Sequence, residues 1–253
     1  MKELELFGVS VALGTREELL GDALALLDTG GTIATVNASM LEYARVHHDF
    51  CELLQGMSLR IPDGRGVARA LSRRGEKTDT LPGVELGLLL LVSRPYLRVA
   101  LYGGKAGVAE RTRDAILNLS PTTDIVYVRD GYHYTPFEIA RDLAKMKVDL
   151  VFVCLGSPRQ ERVAKMLAQV LPHALIIGLG GSFDVWCGDT PRAPVKWQQK
   201  GMEWLWRILK EPKRIAKLPT LLSFSYHILL DELQQNSQKT RKKAEAEKNN
   251  QQI

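Results

Sequence analysis

Cysteine is scarce in this chain of 253 residues, which has only Cys51, Cys154 and Cys187. They are widely separated, odd in number and without C-x-x-C spacing, so neither a disulfide framework nor a zinc site is indicated, and a reducing cytoplasm is the expected home. No D-x-D triplet occurs, and the five histidines, of which only His47 and His48 are adjacent, lack ligand spacing such as H-x-x-x-H. No metal site and no cofactor are expected on that ground. No run approaches the roughly 20 apolar residues that cross a bilayer. The opening "MKELELFGVSVALGTREELL" carries acids where a secretory signal is apolar, so neither a standard signal nor a transmembrane span is expected. A strong charge of one sign is also missing. Lys and Arg number 34 against 29 Asp and Glu, and the resulting +5 is too small to signal nucleic acid. It suits phosphate-bearing ligands or an anionic membrane surface.

What is present is an ordinary globular composition, 45% hydrophobic and 25% charged, with an alternation of short apolar runs and helical patterns. From residue 98 the runs "RVALYGG", "DIVYVRDG", "DLVFVCLG" and "ALIIGLGG" interleave with "VAERTRDAILNL", "FEIARDLAKMK" and "ERVAKMLAQVL". This predicts an α/β fold, Rossmann-like, with a mostly parallel sheet covered by helices on both faces. "TIATVNASMLEYARVH" reads as a strand entering a helix and "VELGLLLLVSR" as a buried helix, so one core domain over residues 1–195 is expected. Glycines gather where the strands end, in "YGGKAG", "RDGY", "LGSP" and "GLGGSFD". There a glycine such as Gly103 lets backbone N–H groups approach a phosphate. "GLGGSF" lacks the last glycine of G-x-G-x-x-G, and "GGKAG" lacks the G-K-[ST] ending of a Walker loop, which disfavours a dehydrogenase and an ATPase.

After "RAP" the composition changes. Trp197, Trp204 and Trp206 stand beside Arg207, Lys210, Lys213, Arg214 and Lys217, on short helices broken at Pro212 and Pro219. Residues 196–235 read either as a helical, membrane-facing appendage or as a hairpin packed on the core. Residues 236–253 are polar and without aromatics, as in a frayed or disordered tail.

Two motifs allow both structural and chemical readings. "LGSPRQE" opens a helix and places Gln160 and Glu161 in its first turn, facing the strand ends, where an amide can read a sugar hydroxyl. Equally, it is a βα turn with Glu161 favouring the helix dipole. "IPDGRGVA" sets Asp63 on a turn before a helix, as a cap or as a base.

The ordered set "TVN", "IPDGRGV", "LPGVELG", "LYGG", "DGYH", "LGSPRQE", "GLGGSFDVWCGDTPRAP" and "GMEWLWRILKEPKR" resembles the WecG/TagA/CpsF glycosyltransferase family over roughly residues 8–217. The resemblance implies transfer of N-acetylmannosamine from a UDP donor to an undecaprenyl-diphosphate-linked N-acetylglucosamine, in teichoic acid or related polymer synthesis at the inner face of a bacterial membrane. It implies Asp63 as general base, with Thr35, Asn37 and Gln160 lining the donor and acceptor pocket and Arg207 and Arg214, less surely Lys217, closing over it. The family's usual arginine is Thr80 here, and Arg73, Arg74 and Lys77 are the nearby cations able to replace its charge. A single carboxylate with no metal signature fits a one-step displacement with inversion, because the leaving UDP is already a stabilised anion. A nucleotide-sugar-binding module without transfer activity is the alternative, and a membrane-surface scaffold and homo-oligomer formation stay open.

Overall fold

The computed structural model describes residues 2–194, 196–197, 203–210, 215–216 and 218–250, the side chains of Trp204, Arg207 and residues 235–250 excepted. The chain opens with a hairpin, β1 (Lys2–Leu6) and β2 (Val9–Leu13), antiparallel with Leu6 opposite Val9. There follow α1 (Arg16–Thr29), β3 (Gly31–Val36), α2 (Ala38–Val46), α3 (His48–Gln55), β4 (Leu59–Pro62), α4 (Arg65–Arg73) and α5 (Gly83–Ser93). The regular alternation then begins with β5 (Arg98–Gly103), α6 (Val108–Leu119), β6 (Asp124–Arg129), α7 (Pro136–Leu143), β7 (Leu150–Cys154), α8 (Arg159–Val170), β8 (Leu175–Gly178) and α9 (Ser182–Trp186). Beyond these lie α10 (Glu203–Lys210) and α11 (Leu218–Asn250), the latter running without a break across residue 235.

β3 to β8 form one six-stranded sheet, every neighbouring pair parallel, in the order β4-β3-β8-β7-β5-β6. The expected α/β class with helices flanking a parallel sheet is the observed one. Alternation along each strand feeds two cores. Val99 and Leu101 of β5 join Ile33, Phe152 and Ile177 beneath α1, α5, α6 and α9, while Ala100 and Tyr102 join Val36, Val153 and Ile176 beneath α2, α3, α4, α7 and α8. Because all six strands run the same way, their carboxyl ends and the loops that follow share one edge.

β4 is an edge strand, and the hairpin covers it. Arg60, only 7% exposed, explains how a charge is tolerated there. Its Nε donates to Ser10 O at 2.5 Å, Nη1 to Gln55 O at 3.2 Å and to Met57 O, and Nη2 to Glu3 Oε1 at 2.7 Å. A buried charge with its donors satisfied avoids the penalty of an unpaired one, and the edge is closed to other chains.

α11 returns to the core. Phe224 and Ile228 are buried in the cluster of α2, α3 and α4, with the Phe224 ring edge-on to Phe7 at 5.9 Å. Ser223 Oγ donates to Glu42 Oε1 at 2.7 Å. Among the described residues no helix is long and apolar enough to cross a membrane.

Candidate active site

The carboxyl edge of the sheet gathers most of the residues singled out in the sequence. Thr35 lies near the end of β3, 5% exposed, its Oγ1 donating to Gly178 O of β8 at 3.2 Å. Asn37 follows and caps α2, Oδ1 accepting from Met40 N–H at 3.1 Å. On the adjoining strand Asp63 comes directly after Pro62, half-buried, its N–H donating to Val36 O at 2.8 Å and so continuing the β3–β4 ladder by one rung. That bond fixes Asp63 beside Asn37. The N-cap position of α4 belongs to Gly64, which has no side chain to cap with.

Across β3, the loop after β8 is held by α8. Gln160, 3% exposed, accepts the Gly180 N–H on Oε1 at 2.8 Å and donates from Nε2 to Glu161 Oε1 at 2.8 Å. An amide has two donor hydrogens and two lone pairs, so one of each remains for another partner. Glu161 is 1% exposed, and its Oε2 is buried with no direct hydrogen-bond partner among the described residues. Burial pushes its carboxyl above the ordinary glutamate value, while hydrogen bonds from Gln160 and Ser157 pull the other way.

Gly103 closes β5 on the far side of β7, with φ +137°. A Cβ there would lie 2.3 Å from Cys154 O, so only glycine permits this close strand-end approach. The next residue, Gly104, donates its N–H to Cys154 O and accepts from Gly131 N–H, both at 2.9 Å. From β5 the chain leaves to α6 on one face and from β7 to α8 on the other, the topology that opens a ligand crevice between neighbouring strands. Asp130 stands beside it. Burial alone would raise its carboxyl, but N–H groups of His133 and Tyr132 at 2.9 and 2.8 Å, with the His133 ring, outweigh that and hold it below the usual carboxylate range.

The structure therefore brings Thr35, Asn37, Asp63, Gln160, Glu161 and Gly103 to one edge. Arg207 sits on α10, but its side chain, and all of Arg214 and Lys217, lie outside the described residues. Of the cations near Thr80, Arg73 and Arg74 turn to α11, pairing with Glu232 at 2.9 Å and Asp231 at 2.5 Å. Lys77 makes no ion pair among the described residues. Thr80 itself is half-buried, and the next residue, Leu81, donates its N–H to Pro62 O at 3.1 Å, which sets this strip against the turn of Asp63.

Sequence reasoning passed over Glu85, whose carboxylate is shared by Arg16 and Arg192. The signal was a conspicuous "RAP" with no partner visible in one dimension. Much of the irregularity of "GLGGSFDVWCGDTPRAP" goes into such joints. Trp186 Nε1 donates to Val84 O at 3.0 Å, Thr112 Oγ1 donates to Phe183 O at 3.2 Å, and Asp189 pairs with Arg111. Among the described residues no three His, Cys, Asp or Glu side chains cluster as a metal-binding group.

In a Rossmann-like parallel sheet the carboxyl edge is where ligands bind, and here a carboxylate, amides and glycine-rich loops lie along it. The sequence model described as the glycosyl transferase WecG/TagA/CpsF family matches residues 4–238, and the chain belongs to that family. It is a glycosyltransferase of cell-surface polymer synthesis, taking a sugar donor and an acceptor.

Proposed function

We propose that the chain is an inverting, metal-independent glycosyltransferase that moves a sugar, N-acetylmannosamine first among the candidates, from a UDP donor to a hydroxyl of undecaprenyl-diphosphate-linked N-acetylglucosamine. The observation carrying this is Asp63, locked by its backbone beside Asn37 at the sheet's carboxyl edge in a chain that matches a glycosyltransferase family almost end to end. In this mechanism the Asp63 carboxylate takes the acceptor hydroxyl proton as that oxygen attacks the anomeric carbon. The bond from this carbon to the UDP oxygen breaks on the opposite face, and its electron pair leaves with UDP. Protonation of the leaving group is not needed, since the departing diphosphate is a stabilised anion. Thr35 and Gln160 act through the backbone, one fixing the end of β8 and the other the Gly180 loop. Arg207 and Arg214 complete the site from the appendage, which rests on the anionic inner face of the membrane through its tryptophans and basic residues.

The test is a screen of UDP-sugars against a soluble, short-chain prenyl-diphosphate N-acetylglucosamine, run with and without excess EDTA. Turnover with inversion at the new bond, unaffected by the chelator, is expected. A second reading, binding without transfer, is favoured by Thr80 where the family usually carries arginine. UDP-sugar binding without turnover of any acceptor would establish it.

A further inference from the structure

The hypothesis of transfer to a lipid diphosphate requires two diphosphates in one site, that of UDP and that of the acceptor. The glycine-rich crevice between β5 and β7 suits the first. It lies between three and four strand spacings, about 14–19 Å, from β4, so a nucleotide there extends its sugar toward Asp63 without bringing its own phosphates to that turn. The second calls for cations on the core beside the Asp63 turn, in addition to those of the appendage.

On the other side of the Asp63 turn the structure has a groove of about 660 Å³, bounded by α4, the start of α1 and the strip 77–79. Arg65 and Arg69 of α4 line it, one above the other about 6 Å apart along the helix axis, and Lys77 faces them from the strip. Arg65, Arg69 and Lys77 are exposed and make no ion pair among the described residues. α4 spends its other face on the core through Val67, Ala70 and Leu71, so folding does not need these cations. Two acids, Glu18 and Asp79, share the groove and leave it one net positive charge against Arg65, Arg69 and Lys77, and both are turned to backbone N–H groups. Glu18 accepts the Thr15 N–H at 2.7 Å in the capping box of α1, and Asp79 accepts the Arg16 N–H at 3.1 Å. The strip itself is anchored at both ends, Asp79 N–H to Gly14 O at 2.9 Å and Leu81 N–H to Pro62 O at 3.1 Å, and Arg65 of the groove follows Asp63 by two residues in the chain.

We propose that this groove is the acceptor-diphosphate subsite, with Arg65, Arg69 and Lys77 gripping the phosphates while the attached sugar presents its hydroxyl to Asp63. The assignment rests on the transferase reading. A guanidinium pair on one helix binds adjacent phosphates in a fork geometry, and Lys77 adds a third positive charge to the same groove. In this chain the groove also supplies positive charge beside Thr80, from α4 and Lys77, while Arg73 and Arg74 are held by α11.

The experiment compares the full-length protein with the double variant Arg65→Ala, Arg69→Ala and the single variant Lys77→Ala. Inorganic diphosphate is titrated calorimetrically with UDP present at saturation, so that the second site is read. Each variant is expected to weaken that binding, the double variant at least tenfold, and to raise the acceptor KM by a similar factor with the UDP-sugar KM within twofold. Unchanged diphosphate affinity and acceptor KM would overturn the proposal, as would a rise confined to the donor KM. Vesicles of phosphatidylcholine and phosphatidylglycerol should bind wild type and variants alike. A loss seen only with vesicles would make the groove a headgroup contact and overturn it too. Should no UDP-sugar be turned over by wild type, the transferase reading falls, and the diphosphate titration still decides the groove.

Discussion

At the scale of single residues, two carboxyl groups on the carboxyl edge carry opposite demands. Asp63 must be ionised to act as a base, and its half-buried turn leaves it reachable. Asp63→Asn keeps the size and the backbone bond to Val36 but cannot accept a proton. Turnover should fall about 10² or more, the range for losing a general base, with the thermal midpoint within about 2 °C of wild type. Equal losses of fold and rate would return Asp63 to a structural role. Glu161 is the reverse case. With its folded pKa raised by burial, its contribution to stability is fully present below the ordinary glutamate value and is lost as pH rises through the folded one. Glu161→Gln retains the acceptor for Gln160 and cannot ionise. Urea midpoints measured from pH 4 to 8 should therefore fall for wild type relative to the variant as pH increases. Parallel profiles would show that the carboxyl ionises at no cost to the fold.

At the scale of elements, the legible part was the part with strong period. The runs from 98 to 178 became β5 to β8 and their helices almost as read, because buried parallel strands are continuous apolar stretches and their helices show one apolar face. The β1–β2 hairpin went unread although "LELFGVSVAL" alternates, since its partner surface is β4, a strand of four residues too short to announce itself. Strand order was illegible for a related reason. It is set by crossovers and by contacts such as those of Arg60, which join residues 50 positions apart. A turn and a helix start mark the positions of Asp63 and Gln160 locally, but the roles proposed for them come from the family resemblance, and the Arg16–Glu85–Arg192 cluster, which spans the chain, has no local mark at all. "VELG" illustrates what one residue in such a joint does. A Cβ on Gly87 would sit 2.6 Å from the Trp186 ring, whose Nε1 is bonded to Val84 O. Gly87→Ala gains about 1 kcal/mol of helix propensity but costs about 1–3 kcal/mol in overpacking, plus part of that hydrogen bond. A net destabilisation of about 1 kcal/mol or more is expected in urea melts followed by tryptophan fluorescence. A stabilised variant would mean that α9 yields without cost.

At the scale of the whole molecule, the carboxyl-terminal segment has two faces, and they separate its proposed duties. One face belongs to the core. Losing the burial of Phe224 and Ile228 would cost about 3–6 kcal/mol at 1.5–3 kcal/mol each, a large share of the 5–15 kcal/mol by which a domain is stable. Deleting 196–253 therefore confounds fold with function, and point variants in the full chain are the cleaner instrument. The other face of α11 exposes Leu222, Tyr226, Leu229 and Leu233, an apolar stripe at helical spacing. If the appendage rests on the membrane, Leu222→Ser with Leu229→Ser should weaken binding to anionic vesicles while turnover of a short-chain acceptor stays at the wild-type rate. If the appendage also closes the active site, Arg207→Ala with Arg214→Ala should do the converse, lowering short-chain turnover tenfold or more with vesicle binding little changed. Unaltered vesicle binding in the leucine pair, accompanied by a change in oligomeric state, would assign the stripe to a second copy of the chain. Full turnover in the arginine pair would confine the appendage to packing and tethering, leaving the chemistry to the core.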